Sequence, residues 1–245
     1  MVSLRLRIIR EKNRIYSAML KLFSVLTPNA PKVFIFHDIL EDQSQVKSKF
    51  AISQKSFETF LTNQLNNGMK PLNFNELSRV ILNNEKQKKA FFVSFDDANE
   101  SVFTMAYPFL KRNNIPFMIF ITKELVGKPN FLNENQIKML SQDELCTVGS
   151  HGMHHKMFRY YSEKEVAQEL SASKTYLENL TGKSVECFAF PYGRVVECSR
   201  KNIQMLKRSE YKFAFSALAG NLGEKPISGR FFLPRVNVSE NMVKY

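Results

Sequence analysis

The chain has 245 residues, 44% hydrophobic and 24% charged, enough apolar material for one large core of the kind α/β barrels build at this length. Its formal charge is +12, but in residues 1–30 Arg5, Arg7, Arg10, Lys12, Arg14 and Lys21 face Glu11 alone, an excess of +5. The other lysines sit among asparagines and glutamates without interleaved aromatics, which describes a solvated surface and speaks against a nucleic-acid partner.

Cys146, Cys187 and Cys198 make no C-x-x-C pair, so buried, reduced thiols are expected rather than a disulfide framework or a zinc knuckle. No apolar run reaches the roughly 18 residues needed to cross a bilayer. Lys21 interrupts the apolar stretch Ala18–Leu26, and no signal peptide is recognised. The expected location is cytoplasmic, at most peripheral to a membrane.

In chain order, Leu4, Ile8, Ile15, Met19, Leu22 and Leu26 recur at a helical period with basic residues between them. This predicts a basic amphipathic helix over residues 1–30, ended by Pro28 and Pro31. It would either pack on the domain that follows or rest residues 1–26 on an anionic membrane surface or a partner. Residues 31–245 then alternate short apolar runs with amphipathic ones, the pattern of β/α units around a parallel sheet. Strands are predicted at Lys32–Phe36, Ala90–Phe95, Phe117–Ile121, Leu145–Val148, Glu186–Phe190, Lys212–Phe215 and Phe231–Val236. Helices are predicted at Ser56–Leu65, Glu76–Leu82, Val102–Arg112, Glu134–Leu140, Glu163–Leu180 and Arg200–Lys207. The longest has a capping box in Ser162 and Glu165, an apolar stripe of Val166, Leu170, Leu177 and Leu180, and Gly182 as its stop. Seven such strands suit an incomplete TIM-type barrel. No G-x-G-x-x-G or phosphate-binding loop is present in the sequence, so nothing supports a nucleotide cofactor.

Three segments carry chemistry. The apolar strand Ala90–Phe95 ends in Asp96-Asp97, and the C-terminal ends of barrel strands are where active sites sit. Alone, the two acids read equally well as a cap for the helix at Val102. The segment 148–155, Val-Gly-Ser-His-Gly-Met-His-His, holds three of the four histidines. A helical turn there would put His151 and His155 on one face, able to share a metal, with His154 pointing elsewhere. Two histidines and one carboxylate make a metal site with open positions for water and substrate. In the segment 188–193, Pro191 and Gly193 fix a tight turn. It is either a plain loop or a turn that aims a backbone N–H at a developing oxyanion, with Tyr192 walling a substrate groove.

Together these segments resemble the polysaccharide deacetylases with a NodB-homology domain, carbohydrate esterase family four. Ser94-Phe-Asp-Asp97 resembles the family's T-F-D-D, His151–His155 its H-[ST]-x-x-H, and Phe188–Gly193 its R-x-P-Y turn. Phe36-His37, the helix pattern over Phe57–Leu77 and Leu233-Pro-Arg235 resemble the branch that deacetylates poly-N-acetylglucosamine. The resemblance implies a distorted (β/α)7 barrel that removes acetyl groups from N-acetylated sugars, polymeric or lipid-linked. It implies one divalent metal on Asp97, His151 and His155, with zinc foremost and cobalt, nickel or iron as alternatives. It also implies Asp96 as general base, the Tyr192 amide as oxyanion donor, Pro191 and Tyr192 against the substrate, Arg235 orienting Asp96, and His37 as acid. A neighbouring carboxylate such as Asp38 would raise the pKa of His37. Ala98, Gly152 and Ala189 depart from the family's glycine, serine or threonine, and arginine. Two rivals stand beside this reading: a metal-dependent amidase for another acylated substrate, and, suggested by Ala98 and Ala189, a catalytically silent sugar-binding module.

Overall fold

The computed structural model describes residues 27–83, 87–222 and 229–243, together with Glu11, Arg14, Ile15, Ala18 and Met19. The helix predicted over residues 1–30 thus lies largely outside the described residues; those five are helical and exposed.

The strands are β1 (Lys32–Phe36), β2 (Asp38–Leu40), β3 (Ala51–Ser53), β4 (Lys70–Pro71), β5 (Ala90–Phe95), β6 (Phe117–Ile121), β7 (Cys146–Ser150), β8 (Cys187–Ala189), β9 (Phe213–Phe215) and β10 (Val236–Asn237). The α-helices are α1 (Gln54–Asn66), α2 (Phe74–Asn83), α3 (Tyr107–Arg112), α4 (Glu134–Gln142), α5 (Glu163–Thr181) and α6 (Arg200–Arg208). An all-parallel sheet runs β10-β1-β5-β6-β7-β8-β9, with β4 also on β5. It curls into an incomplete (β/α) barrel.

Period-two alternation sorts the strand side chains onto two faces. Phe34 and Phe36 of β1 and Phe91, Val93 and Phe95 of β5 pack outward with Phe57 and Phe60 of α1. Val33, Ala90, Phe92, Phe120, Ala189 and Phe215 pack into a second cluster enclosed by the sheet. Gly149 belongs to this interior because the Phe120 ring would lie 2.6 Å from any Cβ there.

The structure departs from the sequence expectation in several elements. The predicted strand Phe231–Val236 splits into a 3₁₀ turn over Gly229–Phe231, a bridge from Leu233 to Phe215 of β9, and β10 on β1. Pro234, which has no N–H for a ladder, stands at the break. The helix predicted over Val102–Arg112 opens as a π-helical turn, Val102–Ala106, where Tyr107 N–H reaches back to Val102 O; Pro108, at the start of α3, has no N–H to donate. The short pair β2 and β3, too brief to show periodicity, forms its own sheet beside β1. The capping box of α5 and its left-handed stop at Gly182 (φ 68°) form as the sequence predicts.

Candidate metal and acid–base site

The same alternation delivers the chemistry. Beyond Val33 and Ile35, His37 continues the interior face of β1. Beyond Ala90, Phe92 and Ser94, Asp96 continues that of β5, where it is 3% exposed. A regular strand would aim Asp97 away. Instead Asp97 and Ala98 adopt left-handed backbone, φ 71° and 68°, and the chain turns so that Asp97 joins the interior site. For Ala98 this conformation costs roughly 1–2 kcal/mol, which explains a preference for glycine at that position. Strain of this kind collects at functional sites.

Arg235 is fully buried and holds Asp96 in a fork, Nη1 to Oδ1 and Nη2 to Oδ2, both at 2.8 Å. Its Nε donates to Ser216 O at 2.9 Å, and Nη1 also reaches Ser94 Oγ at 3.2 Å. The guanidinium lies against the rings of Phe120 and Phe215, 5.1 and 5.8 Å from their centroids. Burial opposes ionisation of Asp96, but the Arg235 charge, the two hydrogen bonds and His151 outweigh it and hold the carboxyl well below its usual range.

Asp97 has different surroundings. Its Oδ1 stands 3.5 Å from His151 Nε2 and 3.2 Å from His155 Nε2, yet it is buried and accepts no hydrogen bond among the described residues. His151 Nδ1 lies 2.8 Å from Ala189 O, so Nδ1 carries the hydrogen and Nε2 presents a lone pair. Burial, with a smaller push from His155, lowers the His151 pKa to about 4 against the opposing Asp96 and Asp97 charges, and the ring is neutral at neutral pH. The three ligand atoms lie within 4.8 Å of one another. Lone pairs converging on an orphaned carboxylate oxygen are the donor set a divalent metal satisfies, so these residues fit such an ion. The role of Ala189 is played by its backbone, which any side chain permits.

The histidines do not meet through a helical turn. Residues 151–155 form a loop in which Gly152 (φ 84°) and His155 (φ 50°) take left-handed backbone, and the two rings come to 4.9 Å. Glu169 of α5, 5% exposed, anchors this loop. Its Oε2 accepts from Met153 N–H at 2.8 Å and His154 N–H at 3.3 Å, and its Oε1 pairs with His154 Nδ1. A Cβ at position 152 would stand 3.2 Å from Oε2, so Gly152 makes room for the carboxylate. Sequence reasoning missed Glu169; its signal was an acid set among Val166, Leu170 and Ser173 on the buried stripe of α5.

A cleft of about 390 Å³ opens over the site and is lined by His37, Asp96, Asp97, His151, His155 and Tyr192, all singled out from the sequence. It is also lined by Lys49, Phe50, Arg194 and Asn237, which were not. β2 and β3 bring Lys49 and Phe50 there: Asp38 N–H donates to Phe50 O at 3.2 Å, and the Phe50 ring lies 4.9 Å from that of His37. Tyr192 is 42% exposed with φ 64°, its ring 4.9 Å from His155, and its N–H takes no part in the backbone hydrogen bonds of the described residues. Two expectations are corrected. Pro191 is buried beside Gly152 and does not line the cleft, because the turn points Tyr192 outward in its place. Asp38 accepts from Ser101 Oγ at 2.7 Å; burial lowers the His37 pKa, and the charges that oppose this are those of Asp96 and Asp97.

A polysaccharide deacetylase family profile matches residues 83–214. Over 213 residues the chain is 27% identical to a poly-beta-1,6-N-acetyl-D-glucosamine N-deacetylase of Staphylococcus aureus, covering 80% of this chain and 70% of that protein. Its fold is similar to that of a polysaccharide deacetylase from Bacillus cereus (TM-score 0.74, 23% identity), matching 86% of this chain but spanning 65% of that one. It is likewise similar to IcaB from Ammonifex degensii (TM-score 0.74, 24% identity), covering 87% of this chain and 93% of that one.

Proposed function

Because this chain belongs to the polysaccharide deacetylase family, we propose that it hydrolyses the acetamido group of an N-acetylated saccharide, polymeric or lipid-linked, releasing acetate and a free amino sugar. The observation that carries this reading is the pairing of an orphaned Asp97–His151–His155 donor set with an Asp96 carboxylate clamped by Arg235 in one cleft.

Asp97, His151 and His155 would hold one divalent ion, zinc first and cobalt, nickel or iron as alternatives. When bound, the ion supplies Lewis acidity that polarises the acetyl carbonyl and acidifies the attacking water. Asp96 takes that water's proton; each of its oxygens accepts one Arg235 bond and keeps a second lone pair free. Arg235 keeps the base ionised and oriented. The Tyr192 N–H donates to the oxygen that gains charge as the carbonyl becomes tetrahedral. His37, which lines the cleft and whose Nδ1 is buried without a partner among the described residues, gives a proton to the departing sugar nitrogen. The exposed Tyr192 ring walls the groove.

Residues 31–245 are proposed as the catalytic domain and 1–30 as an appended basic segment. The location is proposed as cytoplasmic and membrane-peripheral, supported by three free, buried cysteines and by exposed Ile15 and Met19 at helical positions within the basic segment. No helix of the described residues is long and apolar enough to cross a membrane. The test is acetate release from N-acetylglucosamine oligomers. Turnover should depend on added divalent metal and stop with a chelator; metal-independent turnover, or none on any N-acetylated saccharide, would overturn the reading.

A further inference from the structure

Asn237 stands two residues beyond Arg235 on the segment that closes the sheet, and it pairs in register with Ile35 of β1. Strand alternation gives the two side chains one face. Arg235 lies beneath, clamping Asp96, while Asn237 lines the cleft with His37, Lys49 and Phe50. Asn237 Nδ2 donates to Lys49 O at 3.2 Å, which fixes the sense of the amide. Its Oδ1 is then a buried acceptor that no donor of the described residues reaches. The free energy such an acceptor forfeits is recovered when a donor arrives. In the reading above the free lone pairs of Asp96 serve the attacking water and Asp97 faces the two histidines, so both carboxylates are engaged at the reacting group and Asn237 Oδ1 is the neutral acceptor beside them.

We propose that Asn237 Oδ1 is a specificity-determining acceptor that takes a hydrogen bond from the reacting sugar, either from the acetamido N–H or from a ring hydroxyl beside it. This rests on the N-deacetylase reading above. A site built around such an acceptor discriminates against substrates that lack the donor.

The test measures kcat/KM for the zinc-loaded wild type, Asn237→Ala and Asn237→Asp, with metal content checked in each. The substrates are an N-acetylated oligosaccharide, its counterpart lacking the neighbouring hydroxyl, its O-acetyl ester counterpart, and an aryl acetate with neither donor. Asn237→Ala should lose about tenfold or more on the N-acetylated oligosaccharide and about threefold or less on the aryl acetate. Asn237→Asp keeps an oxygen acceptor but not the bond to Lys49 O, so it should retain most of the saccharide activity. The analogue on which the Ala penalty disappears names the donor: the ester if it is the N–H, the deoxy sugar if it is the hydroxyl. The inference is overturned by no loss in Asn237→Ala, by equal losses on saccharide and aryl acetate, or by an Asp variant as impaired as Ala, which would make the role a structural tie to Lys49. A wild type inactive on every N-acetylated saccharide is a different result, sinking the deacetylase reading and this inference with it.

Discussion

Asp96 and Asp97 are neighbours in the chain with opposite environments. Asp96 is complete within the protein: both oxygens are matched by a buried guanidinium that is itself held by Ser216 O and flanked by two aromatic rings. Asp97 is incomplete, its Oδ1 buried without a donor among the described residues while two imidazole nitrogens stand at 3.2 and 3.5 Å. A buried charge persists only where something compensates it. For Asp96 the compensation is covalently part of the chain, whereas for Asp97, whose side chain is 26% exposed, we propose that a divalent ion shared with the two imidazoles supplies it. The backbone makes the difference, since the left-handed turn at Asp97 and Ala98 takes one carboxylate out of strand register and leaves the other in it.

The largest expected effect comes from breaking the complete half. Arg235→Met keeps volume but leaves Asp96 buried and unpaired, which should cost about 3–5 kcal/mol in denaturant unfolding. Turnover should fall by about 10³ while metal content holds. The Asp96 pKa is depressed in the fold, so the pair's stabilisation is full above the ordinary carboxylate range and fades as pH drops through and below it. The variant should lose that acid limb of its stability curve; an unchanged curve would remove Arg235 from this account.

His37→Gln is next. Burial puts the His37 pKa below 6.5, so a requirement for its protonated form makes kcat/KM fall as pH rises through a value below 6.5. The variant should lose about 10² in turnover on the N-acetylated saccharide together with that limb, and lose less on an aryl acetate, whose leaving group needs no proton. A limb that survives the substitution belongs to another group.

The complete half was legible only in part. The sequence sets Asp96 and His37 just past the ends of the apolar strands Ala90–Phe95 and Lys32–Phe36, but both strands are buried nearly throughout, so no polar–apolar alternation marks which side chains face the interior. Arg235 came only through the Leu-Pro-Arg resemblance, since nothing periodic ties residue 235 to residue 96. The metal half was legible in its residue types but not in its path. A helical turn was expected across 151–155, whereas two left-handed residues and a carboxylate from α5 build the loop. The cleft wall of Lys49, Phe50 and Asn237 was not legible, because β2, β3 and β10 are two or three residues long.

Glu169→Ala sharpens the metal half. Truncation leaves the N–H groups of Met153 and His154 without their acceptor, so the loop loosens and metal affinity should drop by about 10-fold to 100-fold in calorimetric titration, with the apo fold checked by circular dichroism. Unaltered affinity would mean that the loop holds its own shape. Ala98→Gly should do least. Relief of roughly 1–2 kcal/mol of backbone strain is offset by loss of a buried methyl worth about 0.8 kcal/mol and by a more flexible unfolded chain. Unfolding free energy should move by less than about 1 kcal/mol, and turnover should stay within about twofold. A tenfold change in turnover would show that the strain itself matters to the chemistry.

The division between the two aspartates is tested most directly by measuring bound zinc and acetate release together in Asp96→Asn and Asp97→Asn. The account predicts that Asp96→Asn binds one equivalent of zinc and turns over about 10² to 10⁴ times more slowly. Asp97→Asn should instead fail to retain zinc through dialysis, and activity should be lost with it. Loss of zinc in Asp96→Asn, or stoichiometric zinc in Asp97→Asn, would contradict the assignment of base and ligand.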